Sequence, residues 1–193
     1  MEKRNTTLLS LHNPDLKEKI FFLLSGLFVS VPFTVFFSSF SNSLCTFLSL
    51  FVAQICSIAL FAPFIEEFAK VFPLFYRHGE NERSMMTLGF LTGLGFGITE
   101  FLLYVFVLQV PIIARFSGIA FHAASTGITA YGIAKKKPYR YYLFSVFLHL
   151  INNLVTIFII FIPSLFIISI LNLALTFYFS WIFYNNTSDK KII

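Results

Sequence analysis

The sequence predicts an all-α protein, a polytopic bundle of about six transmembrane helices with the N- and C-termini in the cytoplasm. The chain of 193 residues is 57% hydrophobic and only 12% charged, with a mean hydropathy of +0.81. A soluble domain carries about 25% charged residues. Apolar runs of roughly 20 residues, long enough to cross a bilayer as helices, recur along nearly the whole chain. Lysine and arginine are also distributed very unevenly between the two sides that these runs define.

The apolar runs divide the chain into a cytoplasmic N-terminal segment (1–19), a transmembrane domain (20–184) and a cytoplasmic tail (185–193). The predicted spans cover residues 20–40, 44–75, 85–110, 112–134, 141–162 and 164–184. The second span is too long for one straight crossing, so we expect Pro63 and Pro73 to kink or divide it. Pro111 is the main reason for separating the third span from the fourth. The N-terminus lacks the pattern of a signal peptide, so the first span is expected to stay uncleaved.

The positive charges predict the orientation. With the N-terminus inside, thirteen lysine and arginine residues face the cytoplasm and only Arg115 faces outward, as in a multi-pass protein of the cell membrane. The thirteen are Lys3, Arg4, Lys17, Lys19, Lys70, Arg77, Arg83, Lys135, Lys136, Lys137, Arg140, Lys190 and Lys191. The net charge of +5 forms no basic patch among polar residues, so the expected partner is the lipid bilayer and not nucleic acid. Cys45 and Cys56 belong to no CxxC motif, and buried free thiols are the favoured interpretation.

Five ionisable side chains lie inside the predicted spans, where each costs about 2.5 to 3.5 kcal/mol to insert. They are Glu66, Glu67, Glu100, His122 and His149. At a rise of ~1.5 Å per residue, counting from the cytoplasmic ends puts them about 12 to 22 Å deep, near the middle of a ~30 Å core. Unrelated polar residues would more often scatter towards the interfaces, so the common depth predicts one shared site.

Helical spacing directs these side chains towards neighbouring helices. The third span carries a glycine stripe for close packing, and Glu100 follows it by one turn. The next two spans each have one polar face. The glycine stripe is Gly89, Gly93 and Gly97. The polar face of the fourth span is Gly118, His122, Ser125, Thr129 and Gly132, and that of the fifth is His149, Asn152, Asn153 and Thr156. On the second span, Lys70 can form an ion pair with Glu66 one turn earlier, but one lysine cannot neutralise two adjacent glutamates well.

Carboxylates and imidazoles at one depth suit two chemistries. In one, two histidines and a glutamate bind zinc, and another glutamate deprotonates the bound water for attack on a carbonyl. In the other, a desolvated glutamate activates water without a metal, while histidine and asparagine donors hold the oxyanion. Both lead to amide hydrolysis within the membrane. The rival interpretations are an ion- or proton-coupled transporter, for which the first and last spans offer little polar path, and a catalytically silent scaffold.

Four motifs follow one another within the spans: EEFAK (66–70), GFGITEFLLY (95–104), HAASTGITAYGIA (122–134) and HLINN (149–153). Their types and order resemble the PrsW family of intramembrane proteases. That family is related to the CAAX prenyl endopeptidases of the CPBP superfamily. The resemblance covers a motif core of residues 62–155, and it is specific because four motifs recur in the right order.

The resemblance implies an endopeptidase that cleaves membrane-anchored proteins, such as anti-sigma factors. The implied catalytic residues are Glu66, Glu67, Glu100, His122, His149 and Asn153. Zinc, if it is the cofactor, would be bound by His122, His149 and Glu100, and a metal-free glutamate mechanism remains open. Asn153 matches the asparagine that helps to bind the oxyanion in CAAX enzymes. Those enzymes have a histidine where this chain has Glu100, so prenylated C-termini are not the expected substrates.

Overall fold

A computed structural model describes residues 13–76, 81–189 and 192, and these residues form a bundle of helices. The α-helices are α1 (Leu16–Ser25), α2 (Val31–Cys45), α3 (Leu50–Gln54), α4 (Ala62–Tyr76), α5 (Glu82–Leu102), α6 (Ile112–Ala134), α7 (Pro138–Phe158) and α8 (Phe166–Asn185). Segments of π-helix join α1 to α2 (Gly26–Ser30), join α3 to α4 (Ile55–Phe61) and extend α5 (Leu103–Val107). A 3₁₀ turn, Pro163–Leu165, precedes α8.

Five helical rods are long and apolar enough to cross a membrane, which confirms the predicted multi-pass helical class. They are Leu16–Cys45, Leu50–Tyr76, Glu82–Val107, Pro138–Phe158 and Pro163–Asn185. The remaining predicted span, 112–134, forms α6 with the expected bounds but does not reach the same hydropathy. Residues 121–132 of α6 are all buried, and small or polar residues replace the large apolar ones that face lipid elsewhere. A sixth crossing therefore stays a prediction.

The first rod begins earlier than the predicted residue 20 because Asp15 caps it. The Asp15 side chain accepts a hydrogen bond from the Glu18 backbone, and the Glu18 side chain accepts one from the Asp15 backbone. This reciprocal capping box satisfies two backbone donors that a helix end otherwise leaves unpaired. The helix therefore starts at Leu16, within the segment predicted to precede the membrane.

The second rod is continuous from Leu50 to Tyr76 and is not divided by its prolines. The π segment Ile55–Phe61 lies directly before Pro63, and the Ala62 backbone N–H donates to Ser57 O, five residues back. A proline lacks the N–H that an α-helix needs, and wider π turns accommodate that loss. Pro73 lies inside α4 without ending it.

Cys45 and Cys56 form a disulfide, so the interpretation of two free thiols was wrong. Cys45 ends α2, Cys56 lies in the following π segment, and the short turn between α2 and α3 brings their Cα atoms to 6.0 Å. That separation is within the usual range for disulfides. Disulfides persist in oxidising compartments, so a bond at this end of the bundle agrees with the predicted placement of the turn outside the cytoplasm.

Both ends of the described chain lie at the opposite end of the bundle, around the start of α5. The Asn81 side-chain amide donates to Asn13 Oδ1 at 2.9 Å. The Ser188 backbone N–H donates to Glu82 Oε2 at 3.0 Å, and Lys135 Nζ lies 2.6 Å from Glu82 Oε1. The predicted topology requires both termini and the basic loop after α6 to lie on the same side of the membrane. That this side is the cytoplasm stays a prediction.

The glycine stripe of α5 packs against α6, which holds His122. A Cβ atom at Gly93 would overlap the carbonyl oxygen of His122 and lie 2.5 Å from Thr126 Oγ1. One at Gly97 would lie 2.8 Å from Ile119 Cα. The two backbones approach as closely as small residues at helix interfaces allow.

We expect Gly93→Ala to destabilise the protein by about 1 to 3 kcal/mol, because α5 and α6 would have to separate. The control is Gly127→Ala, since a Cβ there would meet its nearest neighbour, Ser180 Oγ, at 3.3 Å. Replacing glycine by alanine raises helix propensity equally at both positions, so the difference between their free energies of unfolding reports the contact between α5 and α6. The measurement is denaturant unfolding of the purified proteins in one detergent. Equal stabilities would contradict the need for this close approach.

Candidate active site in the helix bundle

The α4 helix brings two glutamates and a lysine into the bundle at different depths. The side chains of Glu67 and Lys70 are completely buried, whereas the Glu66 side chain is 12% exposed. Lys70 Nζ lies 2.6 Å from Glu67 Oε1, so the lysine pairs with Glu67 and not with Glu66 as the sequence suggested. Burial explains this choice, because an unpaired charge costs more free energy on a fully buried carboxylate than on a partly exposed one.

Glu67 Oε1 contacts three polar side chains of the site. Besides the Lys70 ammonium, it accepts a hydrogen bond from Ser125 Oγ at 3.2 Å and lies 2.9 Å from His149 Nδ1. A carboxylate only accepts hydrogen bonds, so His149 donates through Nδ1. One oxygen of Glu67 thus holds α4, α6 and α7 together. The other oxygen, Glu67 Oε2, is buried without a hydrogen bond.

His149 links the two glutamates. With Nδ1 donating to Glu67, its second nitrogen, Nε2, lies 3.5 Å from Glu66 Oε2. Glu66 Oε2 is itself buried and has no hydrogen bond within the part of the chain that the structure describes. An imidazole nitrogen and a carboxylate oxygen therefore face each other, with room between them for a shared proton or a bound atom.

His122 is held from both sides. Its Nδ1 lies 3.0 Å from Lys70 Nζ, and its Nε2 lies 2.6 Å from Glu100 Oε2. An ammonium group only donates hydrogen bonds, so Nδ1 accepts from Lys70 and Nε2 carries the proton that Glu100 accepts. This assigns the tautomer from the two partners. The rings of His122 and His149 meet edge to face with 5.3 Å between their centres.

Arg115 extends the same chain of contacts along α6. Its guanidinium lies 3.1 Å from Glu100 Oε2 and over the Tyr104 ring, 3.6 Å from its centre. A guanidinium on a carboxylate forms a strong charge-assisted contact, so Arg115 holds Glu100 in place beneath His122. The ionisable side chains form one unbroken series: Arg115, Glu100, His122, Lys70, Glu67, His149 and Glu66.

Among the described residues, Asn153 is the one predicted site residue whose side chain forms no hydrogen bond or ion pair with this series. Its side-chain amide donates to the backbone oxygen of Ile58 at 2.9 Å, in the π segment that precedes α4. It lies one helical turn beyond His149, on the same face of α7. The amide nitrogen has a second N–H, which could donate to an oxyanion while the first stays on Ile58.

The donor atoms that could share a metal differ from the predicted set. Ligand atoms of Glu66, His122 and His149 all lie within 4.8 Å of one another, so Glu66 takes the place predicted for Glu100. Two imidazoles and one carboxylate are donors that suit zinc. The unpaired Glu66 Oε2 and the facing Nε2 of His149 fit such an ion. His122 would first have to exchange its contact with Lys70 or Glu100.

One residue of the site has no such role in the prediction from sequence: Arg115 figures there only as the single outward positive charge. Lys70 is expected beside the two glutamates, and the structure changes only its partner, from Glu66 to Glu67. A usable signal was present for Arg115, because seven residues separate it from His122 and two helical turns put both on one face. The place of Lys70 beside the glutamates follows from its position inside an apolar span, where a lysine requires a partner.

Comparison with known proteins identifies the family. No curated protein and no solved structure matches the chain at a significant level. The sequence does match the model of the PrsW family of intramembrane metalloproteases over residues 16–182, nearly its whole length. This match includes every rod that contributes to the charged site. The chain therefore belongs to the PrsW family and is a multi-pass intramembrane protease.

Proposed function

We propose that this protease hydrolyses peptide bonds of membrane-anchored proteins at the Glu/His site, with Glu66 as the general base. One observation carries the choice of Glu66. Its Oε2 has no hydrogen bond to any residue that the structure describes and its side chain is partly exposed, whereas Glu67 is fully buried and its Oε1 has three polar neighbours. A base must be able to reach water, and of the adjacent pair only Glu66 has a partly exposed side chain, while the unbonded oxygens of both glutamates are themselves buried.

In the proposed reaction, Glu66 takes a proton from water, and the hydroxyl oxygen attacks the carbonyl carbon of the scissile peptide bond. The proton then passes to the departing amide nitrogen, the C–N bond breaks, and a carboxylic acid and an amine are released, which exchange a proton to become a carboxylate and an ammonium. His149, oriented by Glu67, lies beside Glu66 and can hold the attacking water. Asn153 is the proposed hydrogen-bond donor to the oxyanion, a role that the family resemblance suggests.

The remaining charged residues position the reacting ones in this proposal. Glu67 fixes the orientation of His149, and Lys70 compensates its buried charge. Glu100 fixes the proton of His122 on Nε2 and is itself held by Arg115. Side chains held by such outer contacts need no rearrangement when charge develops in the transition state.

Zinc is compatible with the same residues. Glu66, His122 and His149 would hold it, with Glu67 and Glu100 as carboxylate partners of the two imidazoles. Histidine ligands commonly have such partners. A zinc ion would supply a bound water that ionises near neutral pH. Glu66 is required in either case: without a metal it is the base, and with zinc it would be a ligand in place of that role.

The test is cleavage by the purified protein, reconstituted in liposomes with single-span test substrates that include anti-sigma-factor-like sequences. Mass spectrometry should find a new carboxyl terminus and a new amino terminus within or next to the substrate span. Wild-type protein that cleaves none of the substrates would contradict the proposal and favour a silent scaffold.

Metal content of the same preparation distinguishes the two mechanisms. If zinc is the cofactor, we expect one ion per chain, its loss in His149→Ala, and recovery of cleavage when zinc is returned to chelated wild-type protein. Full cleavage by the zinc-free protein would contradict the metal mechanism and support direct activation of water by Glu66. Glu82→Gln is the control for non-specific metal binding, because Glu82 pairs with Lys135 far along the bundle.

A further inference from the structure

Gly118 differs from the other glycines that the structure describes. A Cβ atom added there would meet no heavy atom within 4 Å, whereas one at Gly93 or Gly97 would collide with α6. At Gly132 it would lie 2.5 Å from the side chain of Tyr141. Those glycines are explained by close helix packing, but packing does not explain Gly118.

The open space at Gly118 adjoins the charged site. Gly118 and Ser125 are seven residues apart, about two helical turns, so they project in nearly the same direction from α6. Ser125 Oγ lies 3.2 Å from Glu67 Oε1, which shows that this direction leads to the carboxylates. Gly118 also lies one turn before His122 and one turn after Arg115, about 6 Å along the helix axis from the histidine.

Polar atoms near this space lack partners. Glu66 Oε2 is a buried acceptor without a hydrogen bond, and Arg115 Nε is a buried donor without one. These two and Glu67 Oε2 are three of the four such side-chain atoms within the described ranges. Leaving buried polar atoms unsatisfied is costly, so groups of this kind call for an explanation. A peptide backbone supplies one donor and one acceptor per residue.

We propose that the cleft over Gly118, defined by Arg115, Gly118, His122 and Glu66, receives an extended segment of the substrate, and that Gly118 determines which side chains pass. The inference rests on the proposed function. An extended segment is required because a helical backbone has its carbonyls hydrogen-bonded internally. The absent side chain at position 118 leaves room for a bulky substrate residue near the scissile bond.

Substitutions at position 118 test the specificity. We expect Gly118→Leu to lower kcat/KM for a substrate with leucine or phenylalanine beside the scissile bond by about 10- to 200-fold, the usual effect of a few methylene groups in a pocket. Cleavage of a matched substrate with alanine at that position should change much less. Ser117→Leu is the control, since Ser117 is exposed at the same depth and points to another face. Equal loss with both substrates, or no loss with either, would overturn the proposal.

Thiol labelling tests the cleft without relying on catalysis. Both natural cysteines are in the disulfide, so Gly118→Cys introduces the single free thiol of the chain. In liposomes, a charged maleimide should label it much faster than the thiol of Ala124→Cys, because Ala124 is fully buried on the same helix. Labelling at 118 as slow as at 124 would overturn the cleft. If wild-type protein cleaves nothing, the proposed function fails, whereas labelling still reports on the cleft.

Discussion

Glu66→Gln is expected to reduce cleavage of a membrane-anchored substrate by about 10²- to 10⁴-fold, the usual contribution of a general base. The stability of the protein should stay close to that of the wild type. Glutamine has the same size as glutamate but cannot take a proton from water. Glu66 Oε2 has no hydrogen bond to the described part of the chain, so the substitution breaks none there. The measurement is initial cleavage rate in liposomes, with unfolding of the same preparations followed in detergent.

The adjacent glutamate is the informative comparison. Glu67→Gln should lose both activity and stability, because it removes the charge that compensates Lys70 and loosens the orientation of His149. Glu82→Gln is the control for a paired glutamate outside the site and should cleave at the wild-type rate. A Glu66→Gln protein with full activity would exclude Glu66 as the base. Loss of stability equal to that of Glu67→Gln would instead assign Glu66 a structural role.

Much of the fold follows from the sequence because a bilayer imposes simple requirements. Backbone groups in hydrocarbon must pair internally, so apolar runs of about 20 residues become helices. This physics predicts the five apolar rods, and helix α6 follows with the expected bounds after the break at Pro111. It does not predict the pairing of Cys45 with Cys56, because the bond depends on how the ends of two neighbouring helices face each other.

The position of the site was also accessible from the sequence, but its internal contacts were not. Ionisable residues are costly in a membrane core, so their common depth predicts that four spans meet, and these side chains do lie together in the structure. Which oxygen meets which nitrogen depends on side-chain rotamers and burial. Lys70 could reach either glutamate along α4, and the complete burial of Glu67 decided between them. Likewise, helical spacing put Asn153 beside His149 but could not show that it bonds to Ile58.

Lys70→Met should be the most destabilising of the single substitutions considered, at about 3 to 5 kcal/mol, the cost of removing one partner from a buried ion pair. Methionine has a similar length but no charge. It would leave Glu67 buried without its cation and His122 Nδ1 without its donor. The measurement is reversible unfolding in one detergent, and the Glu82–Lys135 pair supplies the control. Lys135→Met should cost only about 0 to 1 kcal/mol, because its side chain is 30% exposed and water can replace the lost contact.

The double variant Lys70→Met/Glu67→Gln separates a buried charge from a general defect in packing. If the single substitution destabilises the protein mainly because it leaves Glu67 charged and unpaired, neutralising Glu67 should restore part of the lost stability. The coupling energy between the two positions would then be large, as expected for residues in direct contact. Additive effects would mean that the methionine simply fits poorly beside Ser125 and Phe96, which Lys70 also contacts. Partial recovery of stability without recovery of cleavage would support the proposal that this pair is needed to orient His149 as well as to fold the bundle.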